Sequence, residues 1–276
     1  MRLRANGIEI VYEDRGAGEQ PLVLVHGFTG FRHDFASQLD SLAQRGRVLA
    51  PDLRGHGESA KTGDAASYTL AKLTDDLLAF LDALCIERCD LLGHSMGGML
   101  ALRAALRTPE RIASLLLMDT APGPLGFIDL SQLALAARVG REAGMAVLAQ
   151  ILRVRAQDDA TRGAPDRRVE QEWGEERFWA WRSSRVAAMD PVAYEALGRA
   201  LVEQEDLGHR LAEIGCPTEV LVGELDLEFR RPSELLARGI PDARLTVLPG
   251  AGHQPQHEAP SEWRAAVLAH LARARG

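Results

Sequence analysis

The chain of 276 residues is 46% hydrophobic and 26% charged, which excludes disordered and collagen-like classes and leaves room for one large α/β domain or a core with a smaller lobe. Its formal charge of -7, from 32 basic and 39 acidic side chains, argues against a nucleic-acid backbone as partner. Met1 to Ile10 holds no apolar block of signal-peptide length, and no run of about 18 apolar residues follows, so a cytoplasmic location without integral membrane association is expected.

In chain order, short β-rich runs are predicted as strands at Ile8 to Tyr12, Leu22 to Val25, Val48 to Ala50, Cys89 to Leu92 and Ala113 to Met118. Three helical patterns alternate with them, at Asp34 to Arg45, Leu70 to Leu84 and Met96 to Arg107. From about Ala121 to Arg210 the rhythm breaks: the stretch opens on Pro122-Gly123-Pro124, is rich in Ala, Arg, Glu and Leu, and shows no strand pattern. We read residues 121–210 as a helical cap inserted into a core made of residues 1–120 and 211–276. Strands at Glu219 to Val222 and Arg244 to Leu248 then alternate with helices at Ser233 to Arg238 and Ser261 to Ala274. Apolar runs of this kind suit strands buried on both faces, and the alternation predicts an α/β fold with a mostly parallel sheet between helices. Cys85, Cys89 and Cys216 lack a Cys-x-x-Cys spacing, so they are expected to be buried free thiols, and no metal site is predicted.

The chemistry centres on Gly93-His94-Ser95-Met96-Gly97, between a predicted strand and a predicted helix. This is a Gly-x-Ser-x-Gly nucleophile elbow in the context it requires, with glycines where strand and helix must pass closely. A serine hydroxyl needs a base and a group to orient that base. Asp226, after the strand Glu219 to Val222, and His253, after the strand Arg244 to Leu248, follow in the order expected for this elbow. Asp119, Glu224 and Glu228 are rival acids; His257, His26, His56 and His94 are rival bases. The backbone N–H of Met96, at a helix start, is the first oxyanion donor, and that of Phe28, in the loop His26 to Gly30, is the second.

With Asp52-Leu53-Arg54-Gly55-His56-Gly57-Glu58-Ser59 and Gly252-His253 followed by Glu258-Ala259-Pro260, the chain resembles the lid-bearing branch of the α/β-hydrolase superfamily over nearly its whole length. The resemblance implies a triad of Ser95, His253 and Asp226, oxyanion donors Phe28 and Met96, no cofactor, a small-molecule substrate and a monomer or homodimer. Asp52, Arg54 and Ser59 are read as stabilising their loop. Hydrolysis of a carboxylic ester, thioester or lactone through an acyl-enzyme is the expected activity.

Carbon–carbon bond hydrolases, and the elimination enzyme of menaquinone synthesis, share such motifs, and a non-enzymatic receptor on the same fold is the alternative of another class. The elimination enzymes usually carry an arginine soon after the elbow, where this chain has Met99. Trp173, Trp179, Trp181 and Met145, with Phe178 and Met189, are candidates to wall an acyl pocket. Arg138, Arg141, Arg153, Arg155, Arg167 and Arg168 fit a solvated helix face balanced by neighbouring acids, with recognition of a substrate carboxylate as the sharper alternative.

Overall fold

A computed structural model describes residues 1–158 and 163–276. Residues 159–162, which fall inside the expected cap, lie outside the described residues. The eight strands are β1 (Arg2–Ala5), β2 (Ile8–Arg15), β3 (Leu22–Val25), β4 (Val48–Pro51), β5 (Cys89–His94), β6 (Ile112–Met118), β7 (Thr218–Gly223) and β8 (Ala243–Leu248). They form one sheet in the order β1-β2-β4-β3-β5-β6-β7-β8. The first two strands run antiparallel to their neighbours, and every pairing from β4 to β8 is parallel.

The described helices are α1 (Ala36–Ala43), α2 (Leu70–Ala83), α3 (Met96–Arg107), α4 (Leu130–Ala143), α5 (Met145–Asp158), α6 (Ala164–Trp173), α7 (Glu175–Ala187), α8 (Pro191–Glu203), α9 (Leu227–Gly239), α10 (Pro255–Glu258) and α11 (Pro260–Arg275). Among the described residues none is long and apolar enough to cross a membrane.

The central strands explain themselves. β3 reads Leu-Val-Leu-Val and is buried throughout, as are β5 and β6, because helices cover both faces of a parallel sheet. On one face Phe80 of α2 and Met99 of α3 join Leu91 and Leu115 of the sheet in one buried cluster. On the other, Phe35 and Trp263 stack at 6.4 Å between the sheet and α1 and α11. Burying such aromatic side chains contributes about 2–3 kcal/mol each. Helix starts follow local chemistry: the Thr69 hydroxyl accepts from Lys72 N–H at 3.1 Å at the head of α2, and Asp190 accepts from Val192 N–H at 2.8 Å at the head of α8, where Pro191 has no N–H to satisfy.

Helices α4 to α8 are inserted between β6 and β7. They are fastened to the core at Asp190, whose carboxylate accepts from the Tyr68 hydroxyl at 2.5 Å and the Gly63 N–H at 3.0 Å. At the far end of α8, Gln204 donates to Gly123 C=O at 2.9 Å and accepts from Arg103 at 3.1 Å.

Several expectations need correction. β1 was not anticipated: it is a short, half-exposed edge strand with no apolar run. β8 forms the opposite edge and leaves every residue but Leu248 partly or fully exposed instead of burying both faces. α9 begins at Leu227, not Ser233, because Pro232 is accommodated inside it. α1 begins at Ala36; Asp34 sits in a preceding 3₁₀ turn, buried, rather than opening the helix. All three cysteines are free, yet only Cys89 is buried: Cys85 lies exposed just past α2, and Cys216 is partly covered.

Candidate active site

Ser95 occupies the single-residue turn between β5 and α3, with φ 52° and ψ -117°, a left-handed conformation unusual for a residue with a side chain. The turn is pinned from β6: Ser95 N–H donates to Met118 C=O at 2.8 Å, and the Thr120 hydroxyl donates to Ser95 C=O at 2.7 Å. Both flanking glycines are sterically required. A Cβ on Gly97 would stand 2.3 Å from Val25 C=O, and one on Gly93 would stand 2.3 Å from Gly97 C=O. The turn aims the serine out of the sheet, with the start of α3 beneath it. The N–H groups of Met96 and Phe28 are donated to no protein acceptor among the described residues, and the Phe28 ring lines the same cavity as Ser95.

Asp226 stands at the first position before α9, where an aspartate ordinarily caps the helix. Its side chain makes no cap bond. Instead, Oδ2 accepts from His253 Nδ1 at 2.7 Å. His253 follows β8 in a loop held from three sides. Glu258 accepts from the N–H of Gly252 at 2.6 Å and of Gln254 at 3.1 Å, bracketing the histidine. His94 Nε2 donates to His253 C=O at 2.7 Å, and Phe229 stacks on the imidazole at 4.8 Å. Ser95, His253 and Asp226 thus border one cavity of about 1090 Å³ beneath the inserted helices.

The rival bases are engaged elsewhere. His26 donates from Nδ1 to Gly27 C=O at 2.9 Å and accepts at Nε2 from Leu53 N–H at 3.0 Å, so both ring nitrogens are committed. His56 is tied to Arg54 C=O at 3.0 Å. His257 is wedged edge-on between Trp173 and Trp181, its nitrogens buried without a hydrogen bond among the described residues. Burial holds His26, His56 and His257 down to about 3, and His94 well below its ordinary range.

Among the rival acids, Glu224 accepts from Gly250 N–H at 2.8 Å and Glu228 is exposed. Asp119 is different. Fully buried at the end of β6 with φ 46°, it accepts from Gly223 N–H at 2.9 Å, while its other oxygen has no hydrogen bond. It offers a ligand atom within 4.8 Å of those of Asp226 and His253. Burial, aided by the Asp226 charge, pushes its carboxyl well above the ordinary range. The three are the one set among the described residues with the proximity to hold a metal ion. His253 Nδ1 is already taken by Asp226 and Asp119 favours its neutral form, so the set does not present three free charged donors.

The loop Asp52 to Ser59 is internally bonded. Asp52 accepts from Arg32 N–H at 2.7 Å and Glu58 N–H at 2.8 Å, Arg54 grips Asp76 at 2.6 and 2.7 Å, and Ser59 donates to Asp52 C=O at 2.8 Å. Of the tryptophans expected at the pocket, Trp179 lines the cavity. Trp173 and Trp181 do not: they pack on each other at 5.5 Å and against His257. Met145 is displaced from the wall too, its sulfur filling the space beside Gly140. Phe178 and Met189 are likewise buried in packing clusters. Met99, where a relative would carry arginine, is buried with its sulfur 3.1 Å from Gln204 Nε2.

Arg138, Arg141 and Arg153 are paired with Glu142, Glu195 and Glu175, while Arg168 donates to Gly250 and Glu258 carbonyls at 3.1 and 2.6 Å. Arg153 and Arg155 reach the cavity rim. Two features of the site were not anticipated: the brace of Glu258 and His94 on His253, and Arg185, which reaches the cavity from α7 and pairs with the buried Asp34 at 3.2 Å. Asp34 carried a helix-start signal only, and nothing local marks Arg185.

Comparison with known proteins identifies the fold family. The family described as alpha/beta hydrolase fold matches residues 20–260. A thermophilic esterase from Thermogutta terrifontis, solved with malate bound, superposes with a TM-score of 0.83 at 30% identity, covering 100% of both chains. The enol-lactonase from Burkholderia xenovorans LB400 gives a TM-score of 0.83 at 26% identity, covering 99% of this chain and 100% of its own. Among curated proteins, a 2-hydroxy-6-oxononadienedioate/2-hydroxy-6-oxononatrienedioate hydrolase from Paraburkholderia phymatum is 30% identical over 270 residues, 91% of this chain and 86% of its own.

Proposed function

Because the chain belongs to the α/β-hydrolase fold family, we propose that it is a serine hydrolase that cleaves a small-molecule carboxylic ester, thioester or lactone through an acyl-enzyme on Ser95. The observation that carries this reading is the 2.7 Å hydrogen bond between Asp226 and His253 at the cavity that Ser95 also faces. In this reading His253 takes the Ser95 proton as the hydroxyl oxygen attacks the substrate carbonyl. The tetrahedral oxyanion is met by the N–H groups of Met96 and Phe28, and the proton on His253 leaves with the departing alcohol or thiol. Water then attacks the acyl carbon, passing its proton through His253 back to Ser95 and releasing the acid. Asp226 fixes the imidazole tautomer, with Nδ1 protonated and Nε2 free to accept, and stabilises the imidazolium.

The brace on His253 suits this role, since a base must hold its position within a fraction of an ångström over both half-reactions. The similarity to an esterase and an enol-lactonase supports oxygen esters as the substrate class. The similarity to a hydrolase named for a carbon–carbon cleavage product supports a second reading, in which the same three residues attack a vinylogous ketone.

Turnover of p-nitrophenyl butyrate, a lactone series and a vinylogous diketone separates the two. The expected result is ester or lactone hydrolysis that falls on the order of 10⁴-fold or more in Ser95→Ala and in His253→Ala, with circular dichroism unchanged. Turnover of the diketone alone selects the second reading. Stoichiometric binding without turnover of any substrate, or ester hydrolysis that survives both substitutions, overturns the assignment.

A further inference from the structure

We propose that Arg185 forms a carboxylate-binding subsite in the catalytic cavity, so that the preferred substrate is an ester or lactone whose acyl part carries a second, anionic carboxylate. The proposal deepens the hydrolase reading and rests on it for turnover, though not for binding.

Arg185 lies in the last turn of α7 and lines the cavity shared by Ser95 and His253. Its side chain is only 11% exposed. The guanidinium lies over the Trp181 ring at 5.1 Å, and one terminal nitrogen stands 3.2 Å from Asp34 Oδ2. Its Nε is buried with no hydrogen-bond partner among the described residues. A guanidinium presents five N–H donors in a rigid planar fork, and a buried donor left without an acceptor is uncommon in a folded protein. A ligand carboxylate, with two oxygens in a plane, matches the geometry of such a fork.

The other arginines at this cavity are differently placed. Arg182 is engaged by Asp166 at 2.5 Å, Arg153 lies over the Trp179 ring at 5.6 Å, and Arg155 is exposed. The acids at the wall are engaged as well: Asp226 by His253, Asp166 by Arg182, Glu258 by two backbone N–H groups, and Asp129 by the first turn of α4. Among the described acids that line the cavity none pairs with Arg185, whose carboxylate partner is Asp34 behind the wall.

Asp34 is a reluctant counter-ion. It is fully buried against Gly30, and burial raises its carboxyl pKa despite the neighbouring guanidinium. The positive field of Arg185 reaches His26, His94 and His257, contributing to keeping all three neutral. Arg185 and Ser95 line the same cavity, where the carbon skeleton between carboxylate and scissile carbonyl would lie against Leu125, Leu133 and Phe229.

Two matched esters test the proposal: p-nitrophenyl pentanoate and mono-p-nitrophenyl glutarate, which replaces the terminal methyl by a carboxylate. Wild type is expected to prefer the glutarate ester by about tenfold or more in kcat/KM, the scale of one charge-assisted pair. In Arg185→Gln that preference is expected to fall to near unity, mainly through KM. Asp34→Asn, which removes the competing anion, is expected to keep or increase it. If Arg185 serves only as a latch to Asp34, both variants lower both esters in proportion and the ratio stays put, which overturns the proposal.

Should Arg185→Gln fail to fold, the wild-type ratio and Asp34→Asn carry the decision. A second arm avoids turnover: calorimetric titration of glutarate into Ser95→Ala, and into the same variant bearing Arg185→Gln. Binding weakened about tenfold or more by the second substitution supports the subsite. Glutarate binding of this kind with no ester turnover overturns the hydrolase reading and leaves the subsite standing. Absent glutarate binding with both esters hydrolysed does the reverse.

Discussion

The sheet-and-helix core and the inserted helices use the same ion pairs to different ends. In the core, Arg54 and Asp76 meet through two bonds of 2.6 and 2.7 Å, nearly inaccessible to solvent, and Asn6 joins the same carboxylate at 2.6 Å. In the insert, Arg138–Glu142, Arg199–Glu203 and Arg141–Glu195 sit on helix surfaces in water. Buried pairs cannot be broken on one side without leaving a charge stranded, whereas exposed ones can. The core therefore holds Ser95, His253 and Asp226 in place, and the insert, fastened to it at Asp190 and Arg185, closes over them with a surface that tolerates change. Three measurements press on this contrast.

The largest effect concerns space. A methyl at Gly97 would meet only backbone, Val25 C=O at 2.3 Å and His26 C=O at 2.6 Å, so nothing flexible can give way. Gly97→Ala is expected to lower stability by about 3 kcal/mol or to prevent folding. The corresponding change in the segment leading into the inserted helices, Gly126→Ala, meets nothing within 4 Å and is expected to stay within about 0.5 kcal/mol of wild type. Denaturant unfolding of the two variants decides it. Equal shifts would mean that the elbow is no more tightly constrained than the approach to the insert.

The same contrast explains what could be read from the chain. Leu22 to Val25 and Cys89 to Leu92 were legible as strands because burial on both faces demands unbroken apolar runs, and Ser95 was legible because its turn demands glycine on either side. β1 escaped because an edge strand needs no such run. Pro232 hid the first turns of α9, since its ring reads as a helix boundary while here only one interior hydrogen bond is given up. Around the site, Asp226 and His253 follow strands and so announce themselves. Asp34 and Arg185 do not: their pairing depends on how α7 lies over the loop after β3, a tertiary fact with no local pattern. Trp173 and Trp181 misled for the same reason, because an aromatic cluster looks alike whether it walls a pocket or packs around a histidine.

The second measurement concerns acid. Five histidines of the core are held neutral by burial: His26, His56 and His257 at about 3, His270 at about 4, and His94 well below its ordinary value. In the unfolded chain each titrates near 6.5. Their contribution is complete above that pH and is lost as pH falls below it, because the unfolded state alone takes up the protons. Three carboxyls oppose this. Glu258 is raised to about 6, and Asp34 and Asp119 are raised as well, all chiefly by burial. The native state binds their protons at pH values where the unfolded chain has released them, so these groups gain stability as pH falls. Five protons, with a sixth from the half-exposed His33, against at most three leave a net uptake by the unfolded chain, so stability is expected to fall as pH drops from roughly 6 to 5. Unfolding free energies at pH 6.5, 5.5 and 5.0 measure the slope; a flat profile would mean that the buried imidazoles are not neutral in the native state.

The smallest effect belongs to the insert. Arg141 on α4 pairs with Glu195 on α8, the arginine exposed and the glutamate partly covered. Arg141→Ala is expected to shift stability by no more than about 0.5 kcal/mol, because ordering two long side chains offsets most of the attraction that water has already weakened. The difference from wild type is expected to shrink further at 1 M salt, where the screening length falls to about 3 Å. The acid-induced loss in the core is expected to persist at that salt, since it arises from proton uptake by groups kept out of solvent. A large, salt-resistant penalty for Arg141→Ala would show that α4 and α8 are locked together electrostatically. The insert would then fix geometry as the core does, and the division of labour between them would fail.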